Sequence, residues 1–555
     1  MIAVIAKAGQ SAWVGEFFQL FKTPWEFYRP GRAYDVVVAT ASEIPEVDAR
    51  LFVICGADLK NTDARHGVLA RSRHRGGLLN YGVFKLPVYG EVLTFEPRGT
   101  AVPCVAAGGE AAGLRIRVAE ASVVRLGYDL FAEVGVLLSA GQPLEYAHVP
   151  TLDLHIMMLR EWILNAGIAL VEIPPVPVGH DFAVCLTHDI DFGGMRNHRF
   201  DHTMWGFVYR STVGAVRNLL RGRLSKRQLF QSWRAAASLP LVFMGWARDF
   251  WEPFGWYLKV ERGLPATYFA IPFRGRPGSR VAGKHASRRR AAYDLSDLAN
   301  GIAALLRAGG ELAVHGIDAW HSVEKGRDER ARIAAVSGKS SIGIRMHWLL
   351  LDQGTFSVLD EAGFAYDSTF GYNETVGYRG GTTQVFCPAG ARALLELPLH
   401  IQDGALFYPE RLDLPQSEAW RRCEDLIDHA RAFGGVLTIL WHDRSPGPER
   451  FWGDFYVRLV QDLNSLGAWF GTAGQVVDWF RKRRAVNFER VGDAGSIDRV
   501  CLRYQGEEIR PPLTVRVHRP SSPPLDLAWN GETHFDIDRA LRSPAPDEAV
   551  GSSLL

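Results

Sequence analysis

Short apolar runs alternate with helical patterns through the middle of this chain. Each run has the length and composition of a buried strand, and most intervening stretches, such as residues 294–306 and 418–433, carry apolar residues at helical spacing. Strands that alternate with helices favour a parallel sheet closed into a barrel, so we expect an α/β fold. The predicted strands are residues 182–186, 266–271, 311–315, 341–345, 365–367, 393–399 and 435–441.

The pattern differs at the two ends of the chain. Residues 1–150 carry strand-like runs that predict an N-terminal α/β domain of unknown role, and residues 151–181 read as a helix and a Pro-rich linker. The barrel is expected over 182–486. Residues 487–555 predict a small β appendage with a disordered tail from about Ser543.

A long insertion separates the first two predicted barrel strands. Residues 192–263, approximately, are rich in Trp and Arg and read as helices. We expect Trp246, Trp251 and Trp256 to pack onto the barrel.

Composition excludes several classes of protein. The 555 residues include 63 basic and 61 acidic side chains, a formal net charge of +2, which argues against a nucleic-acid partner. No apolar run is long enough to predict a transmembrane helix, and the N-terminus lacks a signal-peptide pattern, so a cytoplasmic location is expected. The sequence does not indicate the oligomeric state.

Titratable side chains recur where predicted strands end. The carboxyl ends of parallel strands meet at one rim, so we expect these groups to lie together. They are Asp189 and Asp191 after the first strand, His315 at the third, Arg345 and His347 at the fourth, Asp367 at the fifth and His442 after the last.

Such a set of side chains suits metal-assisted hydrolysis. One Asp and two His commonly hold Zn²⁺ while leaving a position for water. A second carboxylate can take a proton from that water, and a separate His can protonate the leaving group.

Several motifs, in this order, resemble those of the polysaccharide deacetylases, the NodB-homology or carbohydrate esterase family four superfamily. The chain is most similar to the divergent T-H-D-V-D branch, which has a GYRxGT-like segment, here Gly377 to Thr382. The resemblance implies a distorted (β/α)₇ barrel that removes N- or O-acetyl groups from sugars. The motifs are Thr187-His188-Asp189-Ile190-Asp191 for T-F-D-D, Ala266-Thr267-Tyr268-Phe269 for A-T-F-F, Arg345-Met346-His347-Trp348 for R-P-P-Y, and His442 at the end of the last strand.

The resemblance also implies roles for the acidic and basic residues. Asp189 is expected as the base, held by Arg345, with Asp191 as a metal ligand, although Ile190 between them leaves the reverse assignment open. His442 is expected as the acid.

The other metal ligands depart from the family pattern. The family places a second His four residues after the first, where this chain has Ala319 after His315. We therefore expect His347 as the third ligand beside Asp191 and His315, with His321 and His188 as alternatives. Arg379, Trp348 and Asp367 are the predicted substrate-binding residues.

The sequence thus predicts a metal-dependent hydrolase that removes an acetyl group from an N-acetylated or O-acetylated sugar or polysaccharide precursor. The expected cofactor is a divalent metal ion, with Zn²⁺ as the first choice. The expected partner is a carbohydrate substrate. Two alternatives stay open, namely hydrolysis of a non-sugar amide bond and a non-catalytic carbohydrate-binding barrel.

Overall fold

The computed structural model describes residues 1–281, 286–491, 499–531 and 535–537. The chain divides into two compact units. The first contains residues 1–179, 380–382 and the described residues from 478 onward; the second contains residues 180–379 and 383–477. The C-terminal strands therefore share a unit with the N-terminal region.

The N-terminal part of the first unit is a mixed sheet with helices. Its strands are β1 (Ile2–Ile5), β2 (Trp25–Phe27), β3 (Val36–Ala39), β4 (Leu51–Cys55), β5 (Leu69–Tyr81), β6 (Phe84–Glu96), β7 (Val102–Ala107), β8 (Glu110–Val118) and β9 (Ala121–Leu126). Neighbouring strands run parallel along β2-β1-β3-β4-β9 and antiparallel along β9-β8-β6-β5-β7. A further strand, β10 (Leu170–Glu172), follows in the chain and belongs to another sheet. The helices of this part are α1 (Ser11–Phe21), α2 (Leu130–Leu137) and α3 (Thr151–Asn165).

The second unit is built on a parallel sheet. Its strands are β11 (Ala183–Ile190), β12 (Ala266–Ala270), β13 (Glu311–Gly316), β14 (Ile344–Met346), β15 (Tyr366–Asp367), β16 (Leu395–Glu396), β17 (Ile401–Gln402), β18 (Val436–Leu440) and β19 (Trp469–Phe470). The order is β16-β15-β14-β13-β12-β11-β18-β17, with β19 paired to β11, and every printed pairing is parallel. Strands β11, β12 and β18 are buried along their whole length, as expected for a sheet covered on both faces.

Helices connect these strands. They are α4 (His202–Tyr209), α5 (Ala215–Leu220), α6 (Lys226–Phe243), α7 (Gly255–Val260), α8 (Ala299–Arg307), α9 (Val323–Ser337), α10 (Thr355–Ala362), α11 (Asp403–Phe407), α12 (Gln416–Phe433), α13 (Gly453–Ser465) and α14 (Ala473–Ala485). The parallel α/β sheet that the alternation predicts is thereby confirmed. The count of seven strand–helix units stays a prediction. Strands β17 and β19, each two residues long, were not predicted from the sequence.

Antiparallel strands complete the first unit. They are β20 (Asn487–Val491), β21 (Arg499–Arg503), β22 (Leu513–Arg519), β23 (Ser522–Trp529) and β24 (Phe535–Asp536), in the orders β10-β22-β23 and β20-β21-β24. The predicted disordered tail from Ser543 lies outside the described residues. Among the helices that the structure describes, none has the length and apolar character needed to cross a bilayer.

The predicted insertion is helical and carries α4 to α7. Trp251 is completely buried in a cluster with Met195 and Phe207, which also belong to the insertion, so its contact with the barrel stays a prediction. The expectation for Trp246 is wrong, since this side chain is 78% exposed in the turn after α6. Trp256 is half-buried, with its ring edge against Tyr257.

We expect Gly343→Ala to destabilise the second unit. A Cβ at Gly343 would lie 1.9 Å from Cζ of the buried Tyr366 ring, so β14 or β15 must shift. Overpacking of this kind lowers the free energy of unfolding by about 1–3 kcal/mol. Urea unfolding followed by circular dichroism measures it. Gly15→Ala in α1, where a Cβ meets open space, is the control and should stabilise by about 0.5–1 kcal/mol. A Gly343→Ala protein as stable as wild type contradicts this packing.

Candidate active site

The alternation of side chains along β11 sorts its polar residues onto two faces. Successive residues of a strand point to opposite faces. Thr187 and Asp189 both contact Arg345, whereas His188 lies on the other side, with Nδ1 2.9 Å from the Trp441 carbonyl oxygen and Nε2 2.7 Å from Glu261. His188 is therefore turned away from the group described next.

Arg345 is completely buried and holds Asp189 in place. Its Nη1 donates to Asp189 Oδ1 and to Thr187 Oγ1, each at 2.9 Å. Its Nε and Nη2 donate at 3.0 Å to the carbonyl and hydroxyl oxygens of Ser368, and the guanidinium lies 4.3 Å from the Phe269 ring centre. The guanidinium group of Arg345 thus holds Asp189 Oδ1, while Asp189 Oδ2 lies 3.7 Å from His315 Nε2.

Asp191, His315 and His347 converge on one point. Asp191 Oδ1 lies 3.3 Å from His315 Nε2 and 3.2 Å from His347 Nδ1, and these two nitrogens are 2.8 Å apart. In register, His315 of β13 pairs with Arg345 of β14, which brings His347 to the same rim. The group could hold a metal ion.

The donor atoms fit a divalent cation such as Zn²⁺. Asp191 Oδ1 is buried and has no hydrogen-bond partner among the described residues. His315 Nδ1 donates to the Arg345 carbonyl oxygen at 3.0 Å, which leaves the Nε2 lone pair for a ligand. Ligand atoms around tetrahedral Zn²⁺ lie about 3.3 Å apart, close to the two Asp191 separations, and the two imidazole nitrogens, 2.8 Å apart, would have to separate slightly on binding.

The ionisation of the ligand group agrees with this assignment. Burial lowers the pKa of His347, which keeps the imidazole in the neutral form that binds metals. Burial alone would raise the pKa of Asp191, but the imidazoles of His347, His315 and His442 outweigh it and hold this pKa well below its usual range.

His442 faces Asp191 from the end of β18. Its Nδ1 donates to Asp403 Oδ1 at 2.6 Å, and its Nε2 lies 4.0 Å from Asp191 Oδ2. Burial would lower the pKa of His442, but the Asp403 carboxylate raises it to about 10. The imidazole therefore carries a proton at neutral pH. Asp403 is itself held by the backbone of His442 and the hydroxyl of Ser445.

The remaining predicted residues lie apart from this group. His321 pairs with Asp318 at 3.0 Å and is not one of the three converging ligands. Arg379 is half-buried, donates to the Gly371 carbonyl oxygen at 3.0 Å and stacks on Phe370. Asp367 is completely buried beside Glu396, and burial raises its pKa to about 6. These surroundings favour structural roles for Arg379 and Asp367.

Trp348 does line a cavity beside the site. The cavity has a volume of about 690 Å³, which is suited to a small ligand, and Asp191 and His347 also form part of its wall. Trp348 is 38% exposed there, with its backbone in the left-handed region at φ 66°.

Sequence reasoning assigned no role to Asp403, Ser368 or Thr187. Asp403 follows the short strand β17, and its place at a strand end was the available signal. Ser368 and Thr187 act through Arg345, and no spacing in the sequence links them.

Comparison with known families found no match for the chain, and comparison with curated proteins found none either. Solved structures similar to this chain include the carbohydrate deacetylase Agd3, at 8% identity and TM-score 0.37, over 96% of this chain and 99% of that one. A Puue allantoinase is 15% identical with TM-score 0.34, over 54% and 91%. A family 4 acetyl xylan esterase from Clostridium thermocellum, in complex with a cobalt ion, is 13% identical with TM-score 0.23, over 53% and 90%.

We expect Asp191→Asn to weaken metal binding. The change keeps the shape of the side chain but removes the charge and one ligand oxygen, so the Kd for Zn²⁺ should rise at least about tenfold. Calorimetric titration of the dialysed protein with Zn²⁺ measures it. His321→Gln, the matched change at the alternative ligand, should bind as wild type does. Equal affinity in Asp191→Asn, or a loss in His321→Gln, contradicts the predicted ligand set.

Proposed function

We propose that this protein is a metal-dependent hydrolase that removes an acetyl group from an N-acetylated or O-acetylated sugar. One observation carries the proposal. Asp191, His315 and His347 converge on a point that has Asp189 with Arg345 on one side and His442 with Asp403 on another. A base, an acid and a set of ligands for one cation therefore share the rim of the sheet.

Each side chain then has a distinct task. Asp191, His315 and His347 would hold the cation, which polarises the acyl carbonyl and lowers the pKa of a water when bound. Asp189 accepts the proton of the attacking water through Oδ2, because Arg345 occupies Oδ1. His442 donates the proton of Nε2 to the leaving nitrogen or oxygen, and Asp403 keeps its imidazole oriented and protonated.

The motif resemblance and the cavity support a sugar as the substrate. The cavity at Asp191 and His347 has room for a small ligand, and Trp348 offers an exposed aromatic face in its wall. The resemblance to polysaccharide deacetylases, together with the Asp and His donors, makes Zn²⁺ the first choice of cation.

Acetate release from N-acetylglucosamine oligomers tests the proposal directly. Zinc-loaded protein should release acetate, dialysis against a chelator should abolish the release, and added Zn²⁺ should restore it. Full turnover after complete metal removal contradicts the metal-dependent mechanism. Cleavage of a cyclic amide by protein that leaves acetylated sugars intact contradicts the choice of substrate.

We expect Asp189→Asn and His442→Gln to lower kcat while Zn²⁺ still binds. Each change removes a proton-transfer group but no ligand, and Asp189→Asn keeps a side-chain oxygen that can accept from Arg345 Nη1, so kcat should fall by about 10²–10⁴-fold in folded protein. Acetate release at saturating substrate gives kcat, and calorimetry gives the Kd for Zn²⁺. His321→Gln serves again as the control. If Asp189→Asn abolishes zinc binding and Asp191→Asn spares it, the two carboxylates have the reverse roles.

A further inference from the structure

Arginines dominate the wall of the cavity next to the proposed metal site. None of them forms an ion pair with a carboxylate among the residues that the structure describes. They are Arg210, Arg274, Arg288, Arg289, Arg290 and Arg444. A cluster of cations without paired carboxylates is unfavourable, and a ligand with negative charge would stabilise it.

Several guanidinium nitrogens of this cluster are also without hydrogen bonds. Nε and Nη2 of Arg210, Nε of Arg289 and Nε of Arg444 are buried and have no acceptor in the described part of the chain. Arg289 is only 1% exposed, and its two other nitrogens donate to the backbone carbonyl oxygens of Pro277 and Ile317. Buried donors of this kind normally have partners, so these point to an absent acceptor.

Carboxyl groups attract some of these arginines from behind the wall, but none forms an ion pair with them among the described residues. Glu449 acts on Arg210 and Arg444, and Asp318 and Glu329 act on Arg289.

The two carboxylates in the wall itself have other partners. Asp201 pairs with His198 and caps α4, and Asp191 belongs to the ligand group. Burial lowers the pKa of Arg210 to about 10, which still leaves it charged at neutral pH.

We propose that this cavity binds an anionic group, a phosphoryl group or a carboxylate, on the acetylated sugar. Guanidinium groups pair with both anions through two parallel hydrogen bonds. The proposal deepens the proposed function and rests on it for the identity of the sugar. The shared wall residues Asp191 and His347 place the anion site beside the acyl site.

Two measurements on the zinc-loaded protein test the anion site. Calorimetry with inorganic pyrophosphate and with glucuronate reports anion binding and tells the two sources apart. Arg210→Gln removes a guanidinium that makes no described hydrogen bond, and should raise the Kd of the preferred anion about tenfold or more. Arg421→Gln, an exposed arginine on α12, is the control and should leave the Kd unchanged.

Kinetics separate this inference from the proposed function. Wild type should have a higher kcat/KM for N-acetylglucosamine 1-phosphate or an acetylated uronate than for N-acetylglucosamine, and Arg210→Gln should reduce that ratio. Equal kcat/KM for neutral and charged sugars, or an unchanged ratio in Arg210→Gln, overturns the anion site and spares the proposed function. If the protein hydrolyses none of these sugars, calorimetry still tests the anion site. Absence of binding to both pyrophosphate and glucuronate overturns the inference.

A second, independent observation concerns the outer surface of the insertion. Along α4, the π-helical turn Arg210–Gly214 and α5, large apolar side chains recur every three or four residues and lie exposed. They are Trp205 (59% exposed), Tyr209 (56%), Val213 (57%), Val216 (38%) and Leu220 (82%). A stripe at helical spacing normally faces a core, but this one faces outward.

Helix α6 repeats this arrangement. Its exposed large apolar residues are Phe230 (66%) and Trp233 (46%), with Leu241 (43%) later in the helix and Met244 (49%) and Trp246 (78%) just after it. We call these two sets of residues the apolar face. Exposed apolar surface of this extent on one insertion marks an interaction site.

The net positive charge of the insertion indicates a partner with negative charge. Residues 192–263 contain twelve basic side chains against four acidic ones, Asp201, Asp249, Glu252 and Glu261. The basic residues are Arg196, Arg199, Arg210, Arg217, Arg221, Arg223, Lys226, Arg227, Arg234, Arg248, Lys259 and Arg262. A second copy of this chain would bring the same positive charge against itself in a two-fold contact, which is unfavourable.

We propose that the apolar face binds the surface of an anionic membrane. Helices with Trp, Tyr and Leu on one face and Lys and Arg around them lie in the interface of a bilayer, and the basic residues add attraction to anionic headgroups.

Cosedimentation with vesicles tests this. The full chain should bind phosphatidylglycerol-containing vesicles and not pure phosphatidylcholine vesicles. Leu220→Ser combined with Trp246→Ser should lower the bound fraction at least about tenfold in partition coefficient. Val83→Ser, at an apolar residue 90% exposed in the first unit, is the matched control and should bind as wild type does. Equal binding to both vesicles, absence of binding, or a stable dimer that the double change disrupts overturns the proposal.

Discussion

The pairing of Arg345 with Asp189 is the interaction on which the second unit's polar centre depends. A completely buried guanidinium that lost its carboxylate would destabilise the fold by about 3–5 kcal/mol, so the two must stay together. Because the same fork also binds Thr187 and Ser368, it joins β11, β14 and the segment after β15 at one edge. The charge pair is thus both a structural tie and the means of orienting the proposed base.

The spacing of Asp189 and Asp191 places both side chains on the face of β11 where Arg345 lies. In an extended chain, residues two apart point to the same face, and Ile190 between them points away into the core, where it is completely buried. Asp189 is therefore directed to Arg345, while Asp191, one residue beyond the end of β11, reaches His315 and His347. The inserted Ile190 keeps both carboxylates on one side and separates their partners.

The sequence predicted the parallel sheet and the residues at its rim because both can be read from short local stretches of sequence. Apolar runs mark strands, and His315, His347 and His442 directly follow or end such runs. The sequence favoured His347 over His321 because His347 directly follows a predicted strand, and the pairing of β13 with β14 explains how it reaches His315.

Other features had no local signal. Arg288-Arg289-Arg290 reads as a solvated run, and nothing in its spacing links it to Arg210 or Arg444, which come from distant parts of the chain. The wrong expectation for Trp246 has a similar cause. Apolar spacing predicts that a helix has an apolar face, but it does not say whether protein or another phase covers that face.

The charges around Asp191 give a physical reason to expect negative ligands at the proposed site once a cation is present. Arg345 neutralises Asp189, and the protonated imidazole of His442 neutralises Asp403. Of these three carboxylates, Asp191 is then the one left to balance a divalent ion, so the ligand group with its cation would carry a net positive charge. The arginines of the adjoining cavity add to this excess. Developing negative charge on an acyl oxygen is stabilised by such surroundings, and so is a fixed anion on the substrate, because both experience the same buried positive field.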